Sequence, residues 1–378
     1  FKYNGVLKND TLFEGSFSQM GNIYPINLIK RTEAIEIKRP QKPKKPYPYL
    51  SEDVAFENIG ANIKLAGTFT CPKDGGKYPA VVLITGSGAQ NRDEELMGHK
   101  PLLVLSDYLT RRGIAVLRFD DRGVGESEGD HSIATSEDFA TDALAAVEYL
   151  KTRKEVDTKR IGLIGHSEGG MIAFMAANKD KNINYIVSMA GTGIKGDSIM
   201  IMQGRSIPRA AGMNDVMVEQ NAETVRRMLK IIREYPTGFI KQNVDSFIEV
   251  ALPKESTWLH SEPVKKNMAG SFAMMSSPWG RFFMDYDPAD DLKKIKCPIF
   301  AINGDKDIQV EADVHLSAMQ QAMKNNKKGS LTIRRYPNLN HLLQNCTTGQ
   351  MTEYSQIEET ISPEVLKDIA DWILGISK

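Results

Sequence analysis

The sequence predicts an α/β fold: a mostly parallel sheet with helices on both faces, a helical insertion, and a small β-rich N-terminal segment in front. Three observations carry this. Short apolar runs that read as buried strands alternate with helical patterns of about a dozen residues from Ala80 to Met189. The alternation stops near Gly191 and resumes at Cys297. Before that break, the strand Ile161–Ile164 runs into Gly165-His166-Ser167-Glu168-Gly169, which fits G-x-S-x-G, and then into a helical pattern from Gly170 to Ala177.

The bulk numbers set bounds. A chain of 378 residues is long enough for one large α/β domain plus an insertion. Lys+Arg and Asp+Glu are equal at 48 each, so the chain as a whole does not attract nucleic acid or an anionic membrane. No apolar run approaches the roughly 20 residues of a membrane-spanning helix. The three cysteines, Cys71, Cys297 and Cys346, lie far apart without C-x-x-C spacing, which suggests neither a disulfide framework nor a zinc site. They suit an exported or a cytoplasmic setting equally. The numbering begins at Phe1 rather than methionine, so a preceding segment of unknown kind is expected.

In order, residues 1–37 are expected to be β-rich. Thr11–Phe17 and Ile23–Ile29 carry β-branched and alternating residues, broken by Gly21-Asn22. Two or three strands do not stand alone, so this is either the end of a small β-domain or an edge docked on the main body. Residues 38–50, rich in proline and lysine, read as an extended, solvated connector. The main core is expected over 51–190 and 285–378. It opens with an antiparallel pair, Asp53–Glu57 and Ile63–Thr70, followed by strands at Ala80–Ile84, Ile114–Phe119 and Ile183–Met189. Pro101–Arg112 and Ser136–Lys151 have helical spacing, with Ser136 the expected N-cap. Residues 191–284 read as helical and methionine-rich, with Asn214–Glu234 the clearest helix. The pattern closes with a strand at Cys297–Ile302, a helix at Val310–Asn325, a strand at Leu331–Arg335 and a helix at Pro363–Ile376.

The strand–turn–helix order around Ser167 suits a nucleophile, because a serine on a strained turn projects its hydroxyl above the sheet. The helix behind it aims free N–H groups at a developing oxyanion. A hydroxyl is a poor nucleophile near neutral pH and needs a base, which in turn needs a partner to fix its tautomer. Of the histidines after Ser167, His260 lies in the insertion and His315 within a helical pattern. His341 lies in the loop after the last strand, where it can reach the carboxyl edge of the sheet. For the acid, Asp305 and Asp307 both qualify by type. The spacing Gly304-x-x-Asp307-x-x-Val310 favours Asp307, leaving Asp305 to bind local backbone. The two oxyanion donors are expected to be the N–H groups of Ser87, in the loop Thr85-Gly86-Ser87-Gly88, and Glu168.

As a set, Leu65-Ala66-Gly67-Thr68, the run from Thr85 to Asp93, the run from Arg118 to Gly125, Gly165–Gly170, Gly304–Asp307 and Asn340-His341 resemble the α/β-hydrolase superfamily, in particular bacterial two-domain carboxylesterases. The resemblance spans about residues 52–378. It implies a cap between the sixth and seventh core strands and a serine hydrolase acting on a small acyl ester, with no metal or organic cofactor. It departs at Thr85, where many relatives carry histidine. A peptidase or amidase of the prolyl-oligopeptidase kind shares fold and triad and is the nearer alternative. A binding protein on a hydrolase scaffold is the more distant one. Arg92, Asp93 and Glu94 are expected to hold the oxyanion loop by ion pairs, with contact to a polar substrate group the other reading. The insertion methionines, among them Met200, Met202, Met213, Met217, Met268, Met274 and Met275, either line an acyl pocket or pack the insertion's core.

Overall fold

The computed structural model describes residues 2–19, 22–25, 28–30 and 37–376. A small antiparallel sheet comes first. Its strands are β1 (Lys2–Asn9), β2 (Leu12–Gln19), β3 (Asn22–Pro25) and β4 (Leu28–Ile29), and β2 pairs with the other three. The Asn9 carboxamide closes the β1–β2 turn by accepting from the Thr11 and Leu12 N–H groups at 3.0 and 2.9 Å. The strand expected over Ile23–Ile29 is divided in two, and Gly21 of the expected break lies outside the described residues.

The proline- and lysine-rich segment is bound more closely than its composition suggests. Arg39 donates to the Ile357, Ser355 and Met97 carbonyls at 2.8–3.0 Å. Gln41 exchanges hydrogen bonds with Thr360 and Ile361, and Tyr49 is buried with its hydroxyl on Asp107. A guanidinium and a carboxamide satisfy loop carbonyls that no secondary structure pairs.

The main sheet has eight strands: β5 (Leu50–Asn58), β6 (Ile63–Cys71), β7 (Tyr78–Ile84), β8 (Ala115–Phe119), β9 (Val156–His166), β10 (Tyr185–Met189), β11 (Pro298–Gly304) and β12 (Ser330–Tyr336). Their order is β12-β11-β10-β9-β7-β8-β6-β5. The last three strands pair antiparallel as β8-β6-β5, and all other neighbours are parallel. The central strands are almost wholly apolar and buried along nearly their whole length, because a parallel sheet is covered on both faces. One face packs α2 (Ser136–Thr152) and α3 (Glu168–Lys179), the other α1 (Pro101–Arg111) and the terminal helix Pro363–Ile376. The α2 cap is Thr135, not Ser136: Thr135 and Asp138 form a reciprocal capping box, which frees the Ser136 hydroxyl for another partner.

Between β10 and β11, the sixth and seventh strands of this sheet, the described chain contains helices and no strand. They are α4 (Gly196–Ala210), α5 (Asp215–Glu234), α6 (Thr237–Gln242), α7 (Val244–Ala251), α8 (Glu262–Met275), α9 (Pro278–Asp285) and the short α10 (Ala289–Leu292). Beyond β11 come α11 (Ala312–Met323), α12 (Met351–Tyr354) and α13 (Pro363–Ile376). No helix of the described residues is long and apolar enough to cross a membrane.

Candidate active site

The elbow is built by close backbone approach. Ser167 sits at φ 53° and ψ −119°, a conformation that an L side chain adopts only under constraint. A Cβ on Gly165 would lie 2.0 Å from the Gly169 carbonyl oxygen, and one on Gly169 would lie 2.4 Å from that of Ile84. Neither position admits a side chain. The Ser167 N–H donates to the Met189 carbonyl at 2.8 Å, which ties the turn to β10. The buried helix α3 begins directly at Glu168.

Two further loops converge on the serine. In the loop after β11, the buried Asp307 accepts from the Gln309 and Val310 N–H groups through Oδ1, at 2.8 and 2.9 Å. Its Oδ2 lies 2.7 Å from His341 Nδ1. That bond uses the Nδ1 face of the ring and leaves Nε2 with no partner among the described residues. His341 follows Asn340, whose side chain accepts from the Leu342 and Gln344 N–H groups and fixes the turn. The acid and histidine loops are stitched together. Asp305 Oδ1 accepts from the Asn338 N–H at 2.7 Å, and the Lys306 N–H donates to the Leu339 carbonyl. Gly304 is required there, since its Cβ would lie 2.1 Å from the Leu339 oxygen. Ser167 and His341 line one cavity without a direct hydrogen bond between them. Such contacts often tighten only with substrate bound.

Ser87 also lines this cavity, and its N–H has no acceptor among the described residues; the same holds for the N–H of Glu168. By contrast, the Gly86 N–H is taken by Glu94 Oε1 at 2.7 Å. The same oxygen lies 2.9 Å from His166 Nδ1, and His166 Nε2 lies 3.0 Å from the His341 carbonyl oxygen. Burial alone would hold the His166 pKa down, but the Glu94 carboxylate pushes it up to about 9. Asp121 braces the other side of this loop, accepting from the Thr85 hydroxyl at 2.8 Å and the Gln90 N–H at 2.9 Å. Burial raises its pKa to about 8, against the opposing pull of those hydrogen bonds. Arg92 pairs with Asp120, and Asp93 with Arg118 and Lys100. The Arg92–Glu94 stretch therefore acts through ion pairs within the protein. Arg122 is likewise paired with the buried Asp142, in a turn where Gly123 and Gly125 have positive φ.

The cavity has a volume of about 320 Å³. Its insertion side is formed by Met200, Met274, Trp279 and Phe283, and Leu96, Met97 and Met351, all partly exposed like Met274, line it from the core. The methionines divide. Met200 and Met274 line the cavity, whereas Met268 and Met275 are buried in the core with Phe272. The insertion is fastened at two places. Gln203 and Ser206 of α4 donate to the Gln309 and Ile308 carbonyls of the acid loop at 3.0 and 2.8 Å. Trp279 of α9 donates its indole N–H to Glu168 Oε1 at 2.8 Å, beside the Ser136 hydroxyl at 2.6 Å. Reasoning from sequence missed the Glu94–His166 and Trp279–Glu168 contacts. Each joins residues 72 or 111 positions apart, and no local pattern marks them.

The eight-stranded sheet, the elbow after its central strand and the loops that meet there define an α/β-hydrolase. Solved structures share this fold. The Pyrococcus furiosus esterase aligns over 92% of this chain and 100% of its own, with TM-score 0.51 and 17% identity. A hypothetical protein from Pseudomonas aeruginosa aligns over 92% and 99%, with TM-score 0.54 and 18% identity. Within that class the chain belongs to the S15 peptidase family, whose model, described as X-Pro dipeptidyl-peptidase, matches residues 60–336. Esterase EstD of Thermotoga maritima is 26% identical over 315 residues, which is 82% of this chain and 65% of the length of that esterase.

Proposed function

We propose that the chain is a serine hydrolase of carboxylic esters, working through Ser167, His341 and Asp307 by way of an acyl-enzyme. The observation that carries this is the convergence in one cavity of a strained Ser167 and a His341 whose Nδ1 is bonded to Asp307 at 2.7 Å. That bond places the remaining proton-accepting capacity of the ring on Nε2. His341 Nε2 takes the Ser167 proton as the oxygen attacks the ester carbonyl. Asp307, its Oδ1 held by two backbone N–H groups, keeps Oδ2 on Nδ1 and stabilises the imidazolium. The unpaired N–H groups of Ser87 and Glu168 receive the oxyanion. His341 then protonates the leaving alcohol, and the same ring activates the water that releases the acid. The helical residues 191–284 act as a cap over a core of 51–190 and 285–378, with 1–37 and 38–50 as the N-terminal β-rich segment and connector. The esterase name of the Thermotoga relative supports the ester assignment.

The family description favours a second reading, cleavage after an X-Pro dipeptide. Such a substrate carries a free ammonium that needs a carboxylate. In this cavity wall the acid is Glu94, whose Oε1 is engaged by Gly86 and His166 and whose Oε2, though without a partner among the described residues, is buried away from the cavity surface. The other wall residues are mainly apolar side chains and neutral amides, which suit an uncharged ester. The two readings separate in one assay. p-Nitrophenyl butyrate should be hydrolysed and Ala-Pro-p-nitroanilide left intact. Ser167→Ala should lower ester turnover by about 10⁴-fold or more. Faster release from the anilide would overturn the ester assignment, and undiminished turnover by Ser167→Ala would overturn the mechanism.

A further inference from the structure

We propose that Glu94 and His166 form a charged positioning pair that holds the three active-site loops in register, so that turnover depends on a second histidine besides His341. The inference rests on the serine-hydrolase reading. Three contacts carry it: Glu94 Oε1 with the Gly86 N–H at 2.7 Å, the same oxygen with His166 Nδ1 at 2.9 Å, and His166 Nε2 with the His341 carbonyl oxygen at 3.0 Å.

Their chemistry fixes the protonation state. A carbonyl oxygen only accepts, so His166 Nε2 carries a proton. On the other side, one proton lies between Nδ1 and a carboxylate oxygen. The imidazole is the stronger base of the two by about two pKa units in water, so that proton belongs to His166 and the pair is ionic. Both nitrogens donate, which makes His166 an imidazolium. The pair is buried, where such hydrogen bonds are strong and directional.

Each contact ends on a different catalytic loop. Drawing the Gly86 N–H toward Glu94 orients the chain leading to the Ser87 N–H, which has no acceptor among the described residues. His166 immediately precedes the nucleophile. The His341 carbonyl belongs to the residue that carries the base, and the two imidazole rings lie 4.9 Å apart. Neither Glu94 nor His166 needs to touch reacting atoms for this; both act through Ser87, Ser167 and His341. Among the described residues, the ionisable groups around the pair are His341 and Asp307 from the loops after β12 and β11, Asp121 after β8, Glu168 at the start of α3, and Tyr354 of α12. Asp307 reinforces the imidazolium. Loss of the His166 proton as pH rises through about 9 removes the Nδ1 donor and loosens the assembly.

The test is the pH dependence of kcat and KM on p-nitrophenyl butyrate for wild type, Glu94→Gln and His166→Gln. Wild-type kcat should fall above about pH 9. Glu94→Gln removes the charge that supports the imidazolium, so its basic limb should move to lower pH than that of the wild type. Its kcat should drop by about 10–100-fold, the scale of a misplaced catalytic group, with a smaller change in KM. His166→Gln should lose the limb along with most of its turnover. A Glu94→Gln enzyme with wild-type kcat and an unmoved limb would overturn the proposal. A second measurement needs no variant. The imidazole ¹⁵N–¹H spectrum of the wild-type protein at pH 8 should contain a histidine protonated on both nitrogens, and its absence would also overturn the pair. Fluorophosphonate labelling of Ser167 reports separately on the nucleophile. Failure to label would remove the hydrolase reading while the spectrum still decides the state of His166.

Discussion

Asp121 shows how one buried carboxyl can set the pH range of a loop. It holds Thr85 and Gln90 on either side of the glycines that flank Ser87, and burial raises its pKa to about 8. An unfolded chain loses that proton near the ordinary aspartate value, about 4. Between those limits the folded protein holds a proton that the unfolded chain has released, so its stability falls as pH rises. His166 has the opposite charge type, but its raised pKa works in the same direction. Its contribution is fully present below about 6.5 and is lost as pH rises through about 9. Asp121→Asn copies the protonated carboxyl: the amide can donate to the Thr85 hydroxyl while its oxygen accepts from Gln90. The thermal midpoint of the wild type should therefore fall steadily between pH 5 and 8. That of Asp121→Asn should stay nearly level until the His166 contribution is lost. Parallel profiles for the two proteins would mean that Asp121 is ionised throughout. Residues of this kind divide by how local their signal is. Ser167 was legible because Gly165 and Gly169 flank it in five consecutive residues. The choice of Asp307 over Asp305 followed from its distance to Gly304. The protonation of His166 depends on Glu94, 72 residues away, and no window of sequence contains both.

At the scale of elements, the strands and helices of the main sheet were legible because a buried parallel sheet needs uninterrupted apolar runs. The ends were harder to place. Ser136 looked like the cap of α2, yet Thr135 takes that role because Asp138 completes its capping box three residues on. The displaced Ser136 hydroxyl then meets Trp279 of α9 at Glu168 Oε1. This small cluster fastens α9, a short helix at the end of the insertion, to the first residue of α3. Trp279→Phe keeps the ring, which stacks on Phe283 at 5.1 Å, and removes only the indole N–H. A buried hydrogen bond contributes about 1 kcal/mol, so the variant should unfold at measurably lower urea concentration. KM for the ester should rise as α9 loosens, with a smaller change in kcat. An unchanged urea midpoint would place the anchoring in the stacking on Phe283 rather than in the hydrogen bond. The segment 38–50 teaches the same lesson about partners. Its composition describes a solvated connector, whereas Arg39 and Gln41 bind loops more than 300 residues away in sequence.

On the scale of the whole molecule, the insertion and the core together shape the cavity, and this joint surface is what composition could not express. The same methionine-rich sequence supplies Met275 to the interior of the insertion and Met274, one residue earlier, to the cavity wall. The split follows from α8. Its buried stripe runs through Met268, Phe272 and Met275, and the residue next to that stripe faces outward over the site. Met274 is 47% exposed, so it stands at the cavity rim rather than deep in the packing. Replacing it should therefore alter substrate choice with little loss of stability. Met274→Ala opens the rim and should favour longer acyl chains, while Met274→Trp narrows it and should favour shorter ones. Each methylene withdrawn from water contributes about 0.8 kcal/mol, close to fourfold in kcat/KM. Across p-nitrophenyl esters from acetate to decanoate, the chain length at the maximum should move up for Met274→Ala and down for Met274→Trp. If both variants kept the wild-type maximum, the acyl chain would lie elsewhere in the cavity, along Leu96, Met97 and Met351, and the alcohol would occupy the insertion side.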